Sequence, residues 1–355
     1  MTTPSPNTEA ALPHRRRPRY AGTHPRRFEE KYKEHNPARY PDTVEKVLAS
    51  GKTPAGTHRP IMLAEILALL APQPGQTAVD CTLGFGGHAQ EILARLQPGG
   101  RLLGLDVDPI ELPKTEARLR CLGFGPAAFT AHHSNFAGLP QILAQAGLSG
   151  ADIILADLGV SSMQLDDPTR GFSAKFEGPL DMRMNPGRGQ PASVLLQRIR
   201  PGALQELLEE HADEPHAAEL APALAGGVFA TTTQLAAAIR SALPRLDKEA
   251  CALSTRRVFQ ALRIAVNDEF SALEMFLRHL PSCLKPGGRV AILTFHSGED
   301  RRVKKMFEAG IRAGQYAEIS DGVIRPTAEE RRSNPRSVPA KLRWARKNSL
   351  VCDSL

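Results

Sequence analysis

The chain has 355 residues, 41% of them hydrophobic, which is enough for one large globular domain or two ordinary ones. No apolar run approaches the length of a membrane span, and no apolar segment follows the N-terminal charges, so we expect neither a membrane protein nor a secreted one. The five cysteines include no C-x-x-C pair. This spacing is typical of reduced thiols in the cytoplasm, and it favours neither a zinc site nor a disulfide framework.

The net charge of +7 is concentrated at the two ends of the chain. Residues 1–57 hold eleven Lys and Arg against six Asp and Glu, and residues 325–347 hold eight against two. The remainder of the chain is therefore mildly acidic. Basic ends on an acidic core indicate a polyanionic partner, with nucleic acid as the first candidate.

Residues 1–57 form a basic extension with little hydrophobic periodicity. They include three consecutive arginines at 15–17 and tyrosines at positions 20, 32 and 40. Basic and aromatic side chains in this mixture suit a contact with single-stranded nucleic acid, through phosphate pairing and base stacking. A solvated, flexible tail explains the same composition equally well.

A regular α/β pattern begins near residue 58, with an amphipathic helix at 60–70 and then the stretch T-A-V-D-C-T-L-G-F-G-G-H at 77–88. This stretch predicts a short buried strand, a turn containing three glycines, and the start of a helix. Glycine lets the backbone adopt positive φ and approach a ligand closely, so the turn predicts a cradle for a nucleotide-like cofactor. The turn alone fits a nicotinamide enzyme, an S-adenosylmethionine (SAM) enzyme, or a glycine turn without a ligand.

Three further buried strands are predicted at 101–106, 129–133 and 151–157. Strands that alternate with helices indicate an α/β fold with a doubly wound, mostly parallel sheet, whose ligands bind at the carboxyl ends of the strands. Asp80, Asp106, Phe136 and Asp157 follow these strands, so we expect them to converge on one edge of the sheet. Each acid taken singly also fits a helix cap or an ordinary loop residue.

The pattern changes after residue 157. A long loop at 158–188 precedes helices at about 203–210, 216–225, 232–242 and 254–280; the sheet then resumes at 290–294, and 341–346 could form a late antiparallel strand. We therefore divide the chain into a basic extension (1–57), a Rossmann-like domain (58–162 and 281–347), an all-helical insertion (163–280) and a C-terminal tail (348–355).

Nine short motifs together resemble one family, the bacterial MraW methyltransferases of small-subunit ribosomal RNA. The motifs are H-R-P-I-M-L (58–63), T-L-G-F-G-G-H (82–88), L-D-V-D-P (105–109), D-L-G-V-S-S-M-Q-L-D (157–166), R-G-F-S (170–173), G-P-L-D-M-R-M (178–184), F-Q-A-L-R-I-A-V-N-D-E (259–269), P-G-G-R (286–289) and F-H-S-G-E-D-R (295–301). The resemblance covers about 58–347, and the sixth and ninth motifs are the most specific.

The resemblance implies a class I SAM-dependent methyltransferase that modifies N4 of a cytidine in the decoding region of 16S rRNA. The expected partner is this rRNA or the assembled small ribosomal subunit, and the helical insertion is the expected rRNA-recognition domain. No metal is required, because SAM already carries a reactive methyl group. The alternatives are a ribosome-assembly factor that keeps the fold without catalysis, and a nicotinamide-dependent oxidoreductase.

Matching positions imply the site residues. The implied SAM contacts are Gly86, Gly87, His88, Asp106, Phe136, Asp157 and Gln164. Among them Asp106 is expected to accept from the ribose hydroxyls, and Phe136 to pack on the adenine. Asp157 is the candidate catalytic residue, which would accept a hydrogen bond from the target amine. The chain departs from the family pattern at Leu83, Ala89, Met163 and Gly298; none of these changes removes a polar contact, although Gly298 is expected to loosen the F-H-S loop.

The substrate pocket is the least determined part of the site. The candidates for it are Asp181, Arg183, Asn267, Glu269 and His296. A phosphate contact is favoured for Arg183, whereas a packed structural histidine fits His296 as well as a substrate contact does. Arg256, Arg257 and Arg263 could hold rRNA phosphates or simply form a solvated helix face.

Overall fold

The computed structural model describes residues 60–349, and its centre is a seven-stranded sheet. The strands are β1 Thr77–Asp80, β2 Arg101–Asp106, β3 Phe129–His133, β4 Ala151–Asp157, β5 Leu284–Thr294, β6 Tyr316–Ile319 and β7 Lys341–Lys347. The basic extension (1–57) and residues 350–355 of the predicted tail lie outside the described residues.

The strand order is β3-β2-β1-β4-β5-β7-β6. The first five of these pair in parallel, and β7 is antiparallel to both β5 and β6. The doubly wound, mostly parallel sheet is therefore confirmed, as is the antiparallel strand near 341–346. The chain runs from β1 outwards to β3 and returns to β4 on the other side of β1, so a crevice opens at the carboxyl ends of β1 and β4.

Thirteen helices are present between residues 60 and 349. They are α1 Leu63–Leu70, α2 Gly87–Leu96, α3 Leu112–Cys121, α4 Leu139–Gln145, α5 Ser162–Asp166, α6 Ala192–Arg198, α7 Pro201–Ala212, α8 Ala217–Leu224, α9 Thr232–Ala242, α10 Lys248–Asn267, α11 Glu269–Cys283, α12 Ser297–Arg312 and α13 Ala328–Ser333. Helices α1 to α3 cover one face of the sheet, and α4, α11 and α12 cover the other. Within the described part of the chain, no helix combines the length and apolar character needed to cross a membrane.

Helices α6 to α10 enclose a separate apolar core, here called the helical core. The loop that precedes them is anchored in it, since Phe172, Leu180 and Met182 are buried there. Two predictions were wrong in detail. The single helix expected at 254–280 is two helices, because Asp268 adopts a left-handed conformation (φ 52°) that ends α10. The edge strand β6 was missed because only four residues form it and two of those are exposed.

The end of the helical core is held by a buried ion pair. Arg263 Nε donates to Glu269 Oε1 at 2.8 Å, and Nη2 donates to Oε2 at 2.9 Å. Only 14% of the Arg263 side chain and 12% of the Glu269 side chain are exposed. The rRNA phosphate contact considered for Arg263 is therefore contradicted, because its guanidinium is committed to Glu269. This pair joins the last turn of α10 to the first residue of α11.

We expect Arg263→Met to lower the free energy of unfolding by about 3–5 kcal/mol, because it leaves the Glu269 carboxylate buried without its partner. Urea unfolding measures the change. The matched control is Arg301→Met, which removes an ion pair to Asp213 in which both side chains are about half exposed, so we expect a loss below about 1 kcal/mol. Equal losses in the two variants would contradict the structural role of the buried pair.

Candidate active site

Three carboxyl groups meet at one edge of the sheet. Asp80, Asp106 and Asp157 are the last residues of β1, β2 and β4, and these strands are neighbours in the order β2-β1-β4. The predicted convergence of the strand ends is therefore confirmed for the acids. Burial raises the pKa of Asp80 to about 7, and the negative charge of Asp106 adds to the rise. A cationic ligand would stabilise the ionised form of such a cluster.

Asp106 organises the glycine turn. Its Oδ2 accepts a hydrogen bond from the Gly84 amide at 2.7 Å, and its Oδ1 accepts one from the Asp108 amide at 2.8 Å. Burial raises the pKa of Asp106 to about 6, although these two amide donors oppose the rise. The half-buried carboxylate keeps lone pairs beyond these two bonds, so it can still accept from a ligand hydroxyl.

The glycines of the turn differ in what they do. Gly84 has φ 48°, and a Cβ built there would meet nothing closer than 3.8 Å, so space is open above it. A Cβ on Gly86 would lie 2.9 Å from Thr115 Cγ2, and one on Gly87 would lie 2.6 Å from Pro60 Cγ. Gly86 and Gly87 are therefore required for close packing, and cofactor contact at these two positions would be made by backbone atoms.

His88 lies between the backbone and Asp157. Its Nε2 is 3.0 Å from the Ile61 carbonyl oxygen, so we assign the ring proton to Nε2. Burial lowers the pKa of His88 to about 4, which keeps the ring neutral at pH 7. The lone pair on Nδ1 then faces Asp157 Oδ2 at 3.6 Å, a distance longer than a hydrogen bond.

Asp157 has the most perturbed carboxyl group of the three. Burial raises its pKa to about 8, and the negative charges of Asp80 and Glu299 add to the effect. Its backbone amide donates to Thr82 Oγ1 at 2.6 Å, and the Thr82 amide donates to Asp80 Oδ1 at 3.1 Å. Thr82 thus connects the ends of β1 and β4. The sequence analysis missed this role, although a hydroxyl residue two positions after a strand-ending Asp is a signal for such a turn.

Phe136 supplies an aromatic surface beside β3. It begins a short 3₁₀ helix whose first turn is capped by the Asn135 side chain, and it is half-buried. Its ring packs edge-on against Phe276 of α11 at a centroid distance of 5.5 Å. This packing fixes the ring, which is suited to stacking on a planar heterocycle.

Gln164 is committed to protein partners. Its Nε2 donates to Asp108 Oδ2 at 2.8 Å, and its Oε1 accepts from the Ser161 amide at 2.9 Å. The Asp108 side chain accepts from the amides of Ile110 and Glu111, in the turn that precedes α3; the N-cap residue of that helix is Glu111. Asp108 is also 99% buried, a feature missed from sequence because its partners are distant in the chain.

The expected substrate residues separate into an ion pair and two supports, all of them half-buried. The Arg183 side chain donates two hydrogen bonds to Asp181, from Nε to Oδ1 at 2.8 Å and from Nη2 to Oδ2 at 2.7 Å. Asn267 bonds to backbone atoms of Met182 and Met184, and both carboxylate oxygens of Glu269 are taken by Arg263. Asn267 and Glu269 therefore support the loop and the helix junction.

His296 is packed between Glu299 and Phe270. Its Nε2 is 3.2 Å from Glu299 Oε1, and its ring packs against Phe270 at a centroid distance of 5.7 Å. Glu299 is buried, and its Oε2 accepts from the Phe295 amide at 2.8 Å. These contacts match the packed structural histidine that the sequence analysis kept as an alternative.

The chain is similar to several known proteins. A methyltransferase H 1 of small-subunit ribosomal RNA from Lachnoclostridium phytofermentans is 51% identical, over 96% of this chain and 95% of its own. A methyltransferase H 2 of the same kind from Alkaliphilus metalliredigens is also 51% identical, over 93% and 97%. One from Halorhodospira halophila is 40% identical, over 85% and 98%.

The family model named MraW methylase matches residues 55–348, which include every element of the sheet and of the helical core. This match excludes the nicotinamide-dependent oxidoreductase that the glycine turn alone allowed. The chain belongs to the MraW methylase family.

Proposed function

We propose that this protein transfers a methyl group from SAM to N4 of a cytidine in small-subunit (16S) ribosomal RNA, in the cytoplasm. The observation that carries the proposal is the pair Asp106 and Asp157, at the ends of strands on either side of β1, next to the open space above Gly84. The relatives named as small-subunit rRNA methyltransferases support the substrate class. The N4 position rests on the family resemblance of the motifs.

The residues at the sheet edge fit SAM. Asp106 would accept from hydroxyl groups, Phe136 offers a fixed aromatic face, and the carboxyl cluster would favour a cation. SAM supplies a methyl group that is made electrophilic by its positively charged sulfur. The backbone of the turn at Gly84 to Gly87 and the first turn of α2 would hold the rest of the cofactor.

We assign to Asp157 the role of proton acceptor for the target amine. The lone pair of cytosine N4 is conjugated with the ring, so the amine is a weak nucleophile, and it carries a surplus proton once methylated. An ionised carboxylate beside the amine would orient an N–H bond and then accept that proton. Because His88 is neutral, it does not form an ion pair with Asp157, so the Asp157 carboxylate remains available as a proton acceptor.

We assign RNA contact to the basic extension and to Arg183, whose side chain is 20% exposed. Asp181 holds Arg183 in a fixed orientation, and we propose that the outer edge of this guanidinium binds a phosphate. We keep the division into a Rossmann-like domain, an rRNA-recognition insertion and a basic extension as part of the proposal. The match to the 51% identical relatives reaches well into residues 1–54, which supports a role for the extension in these proteins. Asn267, Glu269 and His296 are assigned to support of the site rather than to substrate.

Mass spectrometry of small-subunit rRNA, incubated with the protein and isotopically labelled SAM, tests the proposal. We expect one methyl group on N4 of a single cytidine, either on naked rRNA or on assembled small subunits. Binding of SAM without methyl transfer to any of these substrates would overturn it and favour the non-catalytic assembly factor.

We expect Asp106→Ala to weaken SAM binding by about 1.5–3 kcal/mol, because charge-assisted hydrogen bonds to the ligand are lost. Isothermal titration calorimetry measures the affinity. The matched control is Asp152→Ala at the amino end of β4, whose carboxylate binds the Thr77 amide at 2.8 Å and Lys285 Nζ at 2.7 Å. A folded Asp106 variant with unchanged affinity would remove Asp106 from the cofactor site.

We expect Asp157→Asn to lower the single-turnover rate of methyl transfer about 100-fold or more at saturating SAM, because an amide is a poor proton acceptor. The carboxyl must be ionised to act, and burial raises its pKa to about 8, so the wild-type rate should rise with pH up to about 8. The variant should show a flat profile over the same range. A variant that only needs more SAM and then reacts at the wild-type rate would rule out this role.

A further inference from the structure

A buried ion pair connects the cofactor side of the molecule to the long loop. Arg170 Nη1 donates to Asp108 Oδ2 at 2.8 Å, with 8% of the Arg170 side chain and 1% of the Asp108 side chain exposed. Asp108 is itself joined to Asp106, through its backbone amide. The R-G-F-S motif, which begins at Arg170, is therefore tied directly to the end of β2, and the proposed reaction has given this arginine no role.

The second arm of Arg170 holds the backbone of the G-P-L-D-M-R-M motif. Its Nη2 donates to the Met184 carbonyl at 2.8 Å and to the Arg183 carbonyl at 3.2 Å. The Arg170 carbonyl accepts from the Met182 amide at 3.1 Å. Three consecutive residues around Arg183 are thus fixed by one buried side chain and its own backbone.

The same three residues are also held from the helical core. Asn267 Nδ2 donates to the Met182 carbonyl at 2.8 Å, and Asn267 Oδ1 accepts from the Met184 amide at 2.7 Å. Met182 is fully buried and has φ 65°, a left-handed conformation that a methionine adopts only where its surroundings enforce it. The strained turn makes Asp181 and Arg183 neighbours, and their two hydrogen bonds then lock the Arg183 guanidinium.

We propose that Arg170 is a positioning residue for the RNA substrate: it sets where Arg183 stands relative to the cofactor-binding end of β2. Asp108 orients one arm of its guanidinium, and the other arm fixes the backbone on which Arg183 is presented to an RNA phosphate. This inference rests on the proposed function. It assigns to Arg170, which would contact neither SAM nor RNA, an indirect effect on RNA binding.

Four variants separate positioning from plain stabilisation. Arg170→Lys keeps a charge near Asp108 but lacks the planar fork that reaches both Asp108 and the two carbonyls. Arg170→Gln leaves the buried Asp108 carboxylate without a cationic partner. The double variant Asp108→Asn/Arg170→Gln also removes the negative charge and should recover thermal stability. The matched control is Arg120→Gln, which lies outside both basic ends and removes another Arg–carboxylate bridge, to Glu116 at 3.1 Å, with no bond to the 182–184 backbone.

The experiment is filter binding of small-subunit rRNA across a salt series, well below the melting temperature of each variant. We expect Arg170→Lys and the Asp108→Asn/Arg170→Gln double variant to bind RNA about 10-fold more weakly, with SAM affinity changed far less. The slope of log affinity against log salt should flatten by about 0.7, the effect of one lost phosphate contact on a single strand. Arg120→Gln should bind RNA like the wild type.

A double-mutant cycle with Arg183→Ala identifies the route. If Arg170 acts through Arg183, adding Arg170→Lys to Arg183→Ala should cause little further loss of RNA affinity. Additive losses would overturn the inference, as would wild-type RNA affinity in the stable Asp108→Asn/Arg170→Gln protein. The two proposals fail separately. Absence of methyl transfer by the wild-type protein would defeat the proposed function, whereas the RNA affinity of the variants decides the role of Arg170.

Discussion

The constraint on which the site depends is the burial of three carboxyl groups at adjacent strand ends. Their pKa values are raised to about 7, 6 and 8 for Asp80, Asp106 and Asp157, chiefly because burial disfavours their charged forms. A carboxyl whose folded-state pKa is raised makes folding less favourable as pH rises, since the unfolded chain ionises first. The carboxyl cluster therefore costs the folded state more stability as pH rises from about 4 to about 8, and the cost remains at higher pH. A cationic ligand would offset that cost, so the same feature that weakens the free protein strengthens its affinity for a positively charged cofactor.

The helical core is separate from the apolar clusters on the two faces of the sheet, and polar contacts tie both parts to the loop that carries Asp181 and Arg183. Arg170 reaches this loop from the sheet side and Asn267 reaches it from the helical side. Directional bonds define distances and angles more strictly than apolar contact does, which suits the proposed role of this junction in holding Arg183 at a fixed place relative to the cofactor.

The sequence was informative where structure follows from local pattern. Buried strands, the glycine turn and the strand-end acids were predicted because alternation of strands and helices determines that the ends of parallel strands share an edge. The partners of buried polar groups were not predicted. Asp108 binds Gln164 and Arg170, which are 56 and 62 residues away, and Asn267 binds Met184 across 83 residues. No periodicity encodes such pairs, so the buried partners of Asp108 and Arg263 were not predicted, and Arg263 was interpreted as either a phosphate contact or part of a solvated helix face.

The residues of a sequence motif can be needed for ligand space or for close packing, and the structure distinguishes the two. In the glycine turn, Gly84 leaves open space beside Asp106, while Gly86 and Gly87 admit Thr115 and Pro60 against the backbone. A side chain at Gly84 would occupy the open space beside Asp106 and strain a left-handed residue, whereas one at Gly87 would clash with Pro60, which precedes α1. The same division applies to the R-G-F-S and G-P-L-D-M-R-M motifs, where Gly171 and Gly178 allow the backbone to approach Pro179 and Pro168 closely. Part of each family signature therefore specifies packing, and the residues open to ligand are the fewer ones that packing leaves free.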